Sequence, residues 1–134
     1  MKKAFALAAL LVTFAGTAFA GDNQTTLKYE GLSAKAGTKT VATITVEPKS
    51  GRKLNMEYPT KVKLTAPEGV KIEKAALAKG DAKKFEEKGA KFEVEYTVAA
   101  PGKKTITGEL KIATCTADDC APEVAAITIE VEAK

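Results

Sequence analysis

The feature that most constrains the fold is an alternation of apolar and polar residues with a period of two. In KFEVEYTVA (residues 91–99) every second side chain is apolar, and TITGELKIAT (105–114) and AAITIEVEA (125–133) follow the same pattern. Three shorter segments repeat it: residues 42–46, 62–64 and 70–72. Because side chains point alternately to the two faces of a strand, these segments predict strands with one face in a core and one in water, as in antiparallel sheets.

Turns that contain glycine or proline separate these strands: residues 36–37, 48–51, 67–69, 88–89 and 101–102. About seven short strands with regular turns predict an all-β domain, an immunoglobulin-like antiparallel β-sandwich. We expect residues 21–134 to form this single domain. Residues 73–87 (EKAALAKGDAKKFEE) lack the alternation and have a composition that favours helix, interrupted by Gly80. We expect a loop there, with at most one helical turn.

The first twenty residues predict a secretory signal peptide, residues 1–20, which is not part of the fold. Lys2 and Lys3 precede an apolar run, and Ala18-Phe19-Ala20 fits a small-x-small cleavage site. The apolar run is short for a membrane span and no second run follows it. We therefore expect an exported chain with no membrane span after cleavage; an uncleaved N-terminal anchor is the alternative.

Cleavage would also lower the formal net charge from +4 to +2, because two of the 21 basic residues would leave against 17 acidic ones. This charge is mild, and the lysines are interleaved with glutamates, which argues against a nucleic-acid partner. An exported chain meets oxidants outside the cytoplasm. Its two cysteines, Cys115 and Cys120, are therefore expected to pair at least part of the time.

The composition excludes most kinds of catalysis, because the chain has no histidine. Neither a Ser-His-Asp nor a Cys-His nucleophile system is available, and there is no imidazole metal ligand. Two thiolates beside Asp118 and Asp119 offer zinc an incomplete site, because structural zinc usually takes four Cys or His ligands from two separate pairs. Most other acids fall at outward strand positions, which indicates a solvated face. We therefore expect no metal and no cofactor, and only the cysteines remain as candidate reactive groups.

The two cysteines have four residues between them and lie between the last two predicted strands. Counted along both strands, Cys115 and Cys120 have the parity of outward-facing positions, so they cannot be the staple that joins the two sheets of an immunoglobulin domain through its core. Instead they are expected to face each other across a hairpin, at a Cα separation of about 5.5 Å. So small a disulfide loop would contribute only about 2 kcal/mol to stability. A hairpin staple and a redox-active pair both remain open on these grounds.

Two segments resemble a known family. Residues 110–123 (LKIATCTADDCAPE), followed by the strand at 126–131, are similar to the cysteine hairpin in the N-terminal periplasmic domain of DsbD thiol:disulfide interchange proteins and in the related disulfide bond corrector domains. Residues 54–70 (LNMEYPTKVKLTAPEGV) resemble that family's N-x-x-Y-P stretch, apolar strand and P-x-G-V turn. The resemblance covers about residues 38–134, most of the mature chain.

The resemblance implies an immunoglobulin-like periplasmic domain whose cysteine pair carries electrons. In that family the domain receives reducing equivalents from a membrane-linked thioredoxin-like protein and passes them to periplasmic thiol proteins. By position, Cys115 and Cys120 would be the redox pair and Cys120 the attacking thiol. The implied partners are thioredoxin-like or DsbD-like redox proteins and periplasmic thiol proteins. We expect the chain itself to be a monomer.

The chain departs from the family pattern at three places. A double proline after the second cysteine is reduced to Ala121-Pro122-Glu123, and residues 77–84 hold no aromatic cap, so that Phe85 is the nearest candidate. The transmembrane and thioredoxin-like domains do not follow Lys134, so we expect a stand-alone domain. The alternative from a different class is a non-catalytic secreted β-sandwich with a binding or scaffold role and a structural hairpin disulfide.

The two acids between the cysteines, Asp118 and Asp119, have two interpretations. Nearby carboxylates disfavour a thiolate, which would make the reduced form of the pair less stable. Aspartates in a turn also bond local backbone groups. We favour the turn role.

Overall fold

The computed structural model describes residues 24–134, so the expected signal peptide at residues 1–20 lies outside the described residues. Within that range it has eleven strands and a short 3-10 turn at Lys79–Asp81. The strands are β1 (Thr25–Glu30), β2 (Ser33–Ala34), β3 (Thr40–Pro48), β4 (Lys53–Leu54), β5 (Lys61–Thr65), β6 (Val70–Ile72), β7 (Ala76–Ala78), β8 (Lys84–Glu86), β9 (Gly89–Val98), β10 (Gly102–Cys115) and β11 (Cys120–Ala133).

The strands form two sheets, and the predicted immunoglobulin-like β-sandwich is confirmed. One sheet has the order β1-β3-β9-β6, with β8 also pairing with β9. The other has the order β2-β11-β10-β5-β7, with β4 pairing with the end of β10. All the pairings are antiparallel except that of β2 with β11. The number of strands exceeds the predicted seven because short pieces of two or three residues pair at the sheet edges.

The core between the sheets is built from the inward faces of the alternating strands, as the sequence predicts. The largest fully buried side chains come from both sheets: Ile44, Val46, Leu54, Val62, Phe92, Val94, Tyr96, Ile106, Leu110, Ile112, Ile127 and Ile129. The hydroxyl of Tyr96 donates a hydrogen bond to the carbonyl of Gly31 at 2.8 Å, which satisfies the one polar atom of that buried ring. Burial raises the pKa of Tyr96 above its ordinary value.

Two parts of the chain differ from the sequence analysis. The strand β1 was not anticipated, because only Leu27 and Tyr29 mark its half-buried face and polar residues surround them. Residues 73–87 were expected to be a loop with at most one helical turn. The single turn, Lys79–Asp81, is there, but strands β7 and β8 flank it. Each has only three residues, too few for alternation to be recognised.

Asp81 holds this 3-10 turn in place. Its carboxylate accepts a hydrogen bond from the backbone N–H of Ala78 at 2.8 Å and another from the ammonium of Lys74 at 2.6 Å. The bond from Ala78, and after it the bond from Lys74, lowers the pKa of Asp81 below its ordinary value. The ionised carboxylate is therefore the form that stabilises the turn.

We predict that Asp81→Asn lowers the free energy of unfolding at neutral pH and that the loss disappears in acid. A carboxyl group with a depressed folded-state pKa contributes its stability above its unfolded pKa, about 3.9, and loses it as the pH falls through the folded value. Denaturant unfolding of both proteins at about pH 7 and about pH 2.5 measures this. A deficit of equal size at both pH values would contradict it; Glu109→Gln, an exposed acid without a described ion pair, is the matched control.

Candidate functional site: the cysteine hairpin

The predicted cysteine pair lies at the end of the longest hairpin in the described chain. Strands β10 and β11 pair from Gly102↔Ala133 to Cys115↔Cys120, and the register places the two cysteines directly opposite each other, as predicted. They are joined by a disulfide, with a Cα separation of 4.0 Å. This is shorter than the expected 5.5 Å. The adjacent pair, Thr116 and Asp119, is hydrogen-bonded through the backbone at 2.7 Å, so the cysteines occupy a non-hydrogen-bonded position, where Cα atoms lie closer.

The disulfide lies on the outside of the sandwich. On β10 the neighbouring residue, Thr114, is fully buried, whereas Cys115 is only half-buried. On β11, Cys120 is exposed, and the buried positions Ala125, Ile127 and Ile129 have the opposite parity. The predicted outward parity of both cysteines is therefore confirmed, and the bond is not an inter-sheet staple.

The four residues between the cysteines form a turn that is organised by a hydroxyl group. The Oγ1 atom of Thr116 accepts hydrogen bonds from the backbone N–H groups of Asp118, at 3.3 Å, and Asp119, at 3.1 Å. The same hydroxyl donates to Oδ1 of Asp119 at 2.5 Å. The backbone-bonding role that the sequence analysis favoured for the aspartates therefore belongs to Thr116, and the Asp119 carboxylate accepts a hydrogen bond from that hydroxyl.

Sequence reasoning missed Arg52, which contacts both sides of the hairpin. Its Nε donates to the Thr114 hydroxyl at 2.8 Å and its Nη2 to the Thr114 carbonyl at 3.2 Å. Its Nη1 lies 3.8 Å from Oδ1 of Asp119. The residue was detectable as the only arginine of the sequence, but its distance of more than sixty positions from the cysteines hid the contact.

A tight turn positions Arg52 beside the cysteine hairpin. The N–H of Arg52 bonds the carbonyl of Lys49 at 3.0 Å, and Gly51 between them has φ of 82°, the arrangement of a type II turn, which favours glycine at this position. The turn ends β3 in one sheet and starts β4 in the other. Strand β4 then pairs with the end of β10, with Lys53 opposite Cys115. The strand that carries Cys115 is therefore fixed from two sides.

An open depression of about 510 Å³ adjoins the disulfide on the β4 side. The described residues that line it include Cys115, Leu54 and Met56, and the Met56 side chain is one of the few large apolar groups exposed to solvent. Neither Tyr58 nor Phe85 lines it. Phe85, the nearest candidate for an aromatic cap, packs against the hydrophobic core, and the Lys79 ammonium lies 5.7 Å from its ring centre.

Two further findings concern the described residues as a whole. Between residues 24 and 134 no three cysteine, histidine, aspartate or glutamate side chains are grouped as a metal site. In the same range no helix has the length and apolar character needed to cross a bilayer.

Comparisons with known proteins give fold similarities only. No model of a protein family matches the chain, and no curated protein matches its sequence. Among solved structures, domains 4 and 5 of the S-layer protein SbsC align over 81% of this chain and 50% of that one, with 16% identity and a TM-score of 0.44. The chain thus spans half of that structure's length.

Two other solved structures align over most of both chains. WR4, an MSP family member of C. elegans, covers 81% of this chain and 97% of its own, with 11% identity and a TM-score of 0.42. AggA, the major subunit of aggregative adherence fimbriae type I of Escherichia coli, aligns over 84% of this chain and 97% of its own, with 12% identity and a TM-score of 0.39. At these scores and identities none of the three bears on function.

We predict that the sulfur of Cys120 is the more accessible one. In Cys115→Ala the remaining thiol of Cys120 should react with a bulky maleimide several times faster than the thiol of Cys115 in Cys120→Ala, because Cys120 is exposed and Cys115 is half-buried. Each rate is measured at about pH 7, where lysine amines are protonated and a maleimide is selective for thiols, and is divided by the rate of the same variant unfolded in denaturant, so that the ratio reports access. Equal rates, or a faster Cys115, would contradict the prediction.

Proposed function

We propose that this chain is a periplasmic thiol–disulfide exchange domain that passes electrons through the Cys115–Cys120 pair. One observation carries the proposal: the disulfide joins a cross-strand pair on the outer surface, with Cys120 exposed and open space beside Cys115. Exchange requires a thiolate to approach a disulfide sulfur from outside. A bridge buried beneath side chains would not allow this approach.

The reaction proceeds in two steps. In the reduced domain the Cys120 thiolate attacks a partner disulfide, a bond forms between Cys120 and one partner sulfur, and the other partner sulfur leaves as a thiolate. The Cys115 thiolate then attacks the Cys120 sulfur, closes the Cys115–Cys120 bond and releases the second partner thiolate. Two electrons pass to the partner, and no cofactor takes part. The reverse sequence reloads the domain from a dithiol donor.

The resemblance to the N-terminal domain of DsbD supplies the partners of the proposal. A membrane-linked thioredoxin-like or DsbD-like protein would donate electrons, and periplasmic thiol proteins would receive them. The hairpin supports the exchange function itself, because it places opposite each other the two cysteines that carry the resemblance. The described lining of the depression has no aromatic ring, so partner access here would not depend on an aromatic cap.

The alternative is a secreted binding or scaffold protein in which the disulfide only pins the hairpin. One observation favours it: the cysteines close the final pair of a hairpin that is in register along its whole length. A bond at this position would prevent the end of the hairpin from fraying. The two functions differ in how firmly the bond is closed.

The reduction potential of the pair separates the two functions. For exchange we expect a value above about −300 mV, in the range of exchange proteins, measured on the mature domain equilibrated in glutathione or dithiothreitol buffers. A value well below that range indicates a bridge made to remain closed, and the exchange proposal fails.

A trapping experiment tests the mechanism separately. Cys115→Ala leaves the attacking thiol without its resolving partner, so mixed disulfides with periplasmic proteins should accumulate and disappear on reduction. Cys120→Ala is the matched control and should trap several-fold less, because Cys115 is half-buried. Equal trapping by both variants would contradict the assignment of Cys120 as the attacking thiol.

A further inference from the structure

We propose that Arg52 is a positioning residue for the cysteine pair: it keeps the two thiols opposite each other after the disulfide has opened. This inference rests on the proposed exchange function and deepens it. It starts from the contacts of Arg52, whose guanidinium binds the residue before each cysteine, Thr114 before Cys115 and Asp119 before Cys120.

The two sides of the hairpin are not held equally. The Cys115 side lies inside the sheet, where β4 pairs with it at Lys53 and Leu54, and the N–H of Asn55 bonds the carbonyl of Ala113 at 2.9 Å. The Cys120 side begins β11. Among the described residues, the strand that pairs with the outer side of β11 is β2, at Glu132 and Ala133, the far end of the strand.

Between these ends the described contacts of β11 with its outer neighbours are sparse. The N–H of Gln24 bonds the carboxylate of Glu123 at 3.0 Å, and the N–H of Thr128 bonds the hydroxyl of Tyr29 at 3.3 Å. Neither reaches Cys120. Among the contacts of residues 24–134, those that hold the Cys120 side once the disulfide opens are its pairing with β10 and the contacts of the turn, so we expect this side to separate first.

Arg52 connects the side that can move to the side that is fixed. It lies on the β4 side of β10, and its Nη1 reaches across to Asp119 while Nε and Nη2 are anchored on Thr114. The Arg52 side chain is only 13% exposed and makes two hydrogen bonds to Thr114, so its position does not rest on Asp119 alone. Asp119 also fixes the turn through the Thr116 hydroxyl. The contact thus restrains the backbone next to Cys120.

The chemical consequence concerns the closing of the disulfide. In the folded dithiol, closure is an intramolecular step, and its equilibrium constant rises with the effective concentration of one thiol at the other. A restraint that keeps Cys120 opposite Cys115 raises this constant. It also speeds the second step of exchange, in which Cys115 resolves the mixed disulfide on Cys120. Arg52 therefore acts through Asp119 and does not itself touch the reacting sulfurs.

The test measures the dithiol–disulfide equilibrium against dithiothreitol. In this reaction the Cys115 and Cys120 thiols lose two electrons and two protons to oxidised dithiothreitol, whose own S–S bond opens. We expect Arg52→Met to lower the equilibrium constant for closure by about two- to five-fold, the upper part of the range for exposed ion pairs, because the Arg52 side chain is only 13% exposed. Asp119→Asn should lower it similarly, and the double variant no further than either single one. Lys83→Met, which removes the exposed pair with Glu93 on the other sheet, is the matched control.

A merely structural role gives a different result. It would lower the melting temperature of the oxidised and reduced proteins equally and leave the closure constant at the control value, and this outcome overturns the proposal. A double variant with additive losses overturns it as well. If Arg52→Met does not fold, Asp119→Asn alone decides. The closure constant of the wild-type protein tests the exchange function. The ratio of the variant constant to the wild-type constant tests the role of Arg52, so the two proposals can fail separately.

Discussion

The pairing of β10 with β11 is the interaction on which the site depends. The register of this hairpin sets which side chains enter the core and which cysteine faces which, because a shift by one residue would turn every side chain to the opposite face. Ile106, Leu110, Ile127 and Ile129 are fully or almost fully buried in this register. Their burial makes any other register costly, and the cysteines at the end of the hairpin are aligned by a core that they do not join.

This separation between core and disulfide fits exchange chemistry. The sandwich is held by apolar side chains that lie between its sheets, and Cys115 and Cys120 lie on its outer side. Because neither cysteine belongs to the hydrophobic core, we expect that opening the bond removes no core contact. A small disulfide loop contributes little to stability, so the reduced protein is expected to keep its fold. An electron carrier needs this property, because both of its redox states must recognise partners.

The extent to which the sequence predicted the structure follows from the range of the interactions involved. Alternation along β9, β10 and β11 predicted the sandwich, the inward faces and the outward cysteines, because each depends on neighbours within one strand. Strands β7 and β8 were not predicted, because three residues are too few to show an alternation of apolar and polar side chains. Arg52 was not predicted for another reason: its contact with Thr114 arises only because the turn between β3 and β4 carries the chain from one sheet to the other, and no local pattern encodes that connection.

The hairpin combines two requirements that usually oppose each other. A sulfur that is to be attacked must lie at the surface, where chains are mobile, yet its partner thiol must remain close enough to complete the reaction. Here the half-buried Cys115 lies on the fixed strand and the exposed Cys120 on the outer one. Cys120 thus supplies the exposed sulfur and Cys115 the restrained one. The Arg52 side chain contacts the residue that precedes each of them, Thr114 and Asp119. The exposure of Cys120 follows from its position at the beginning of β11, and the proposed role of the contact between Arg52 and Asp119 is to hold that exposed side opposite Cys115 while the bond is open.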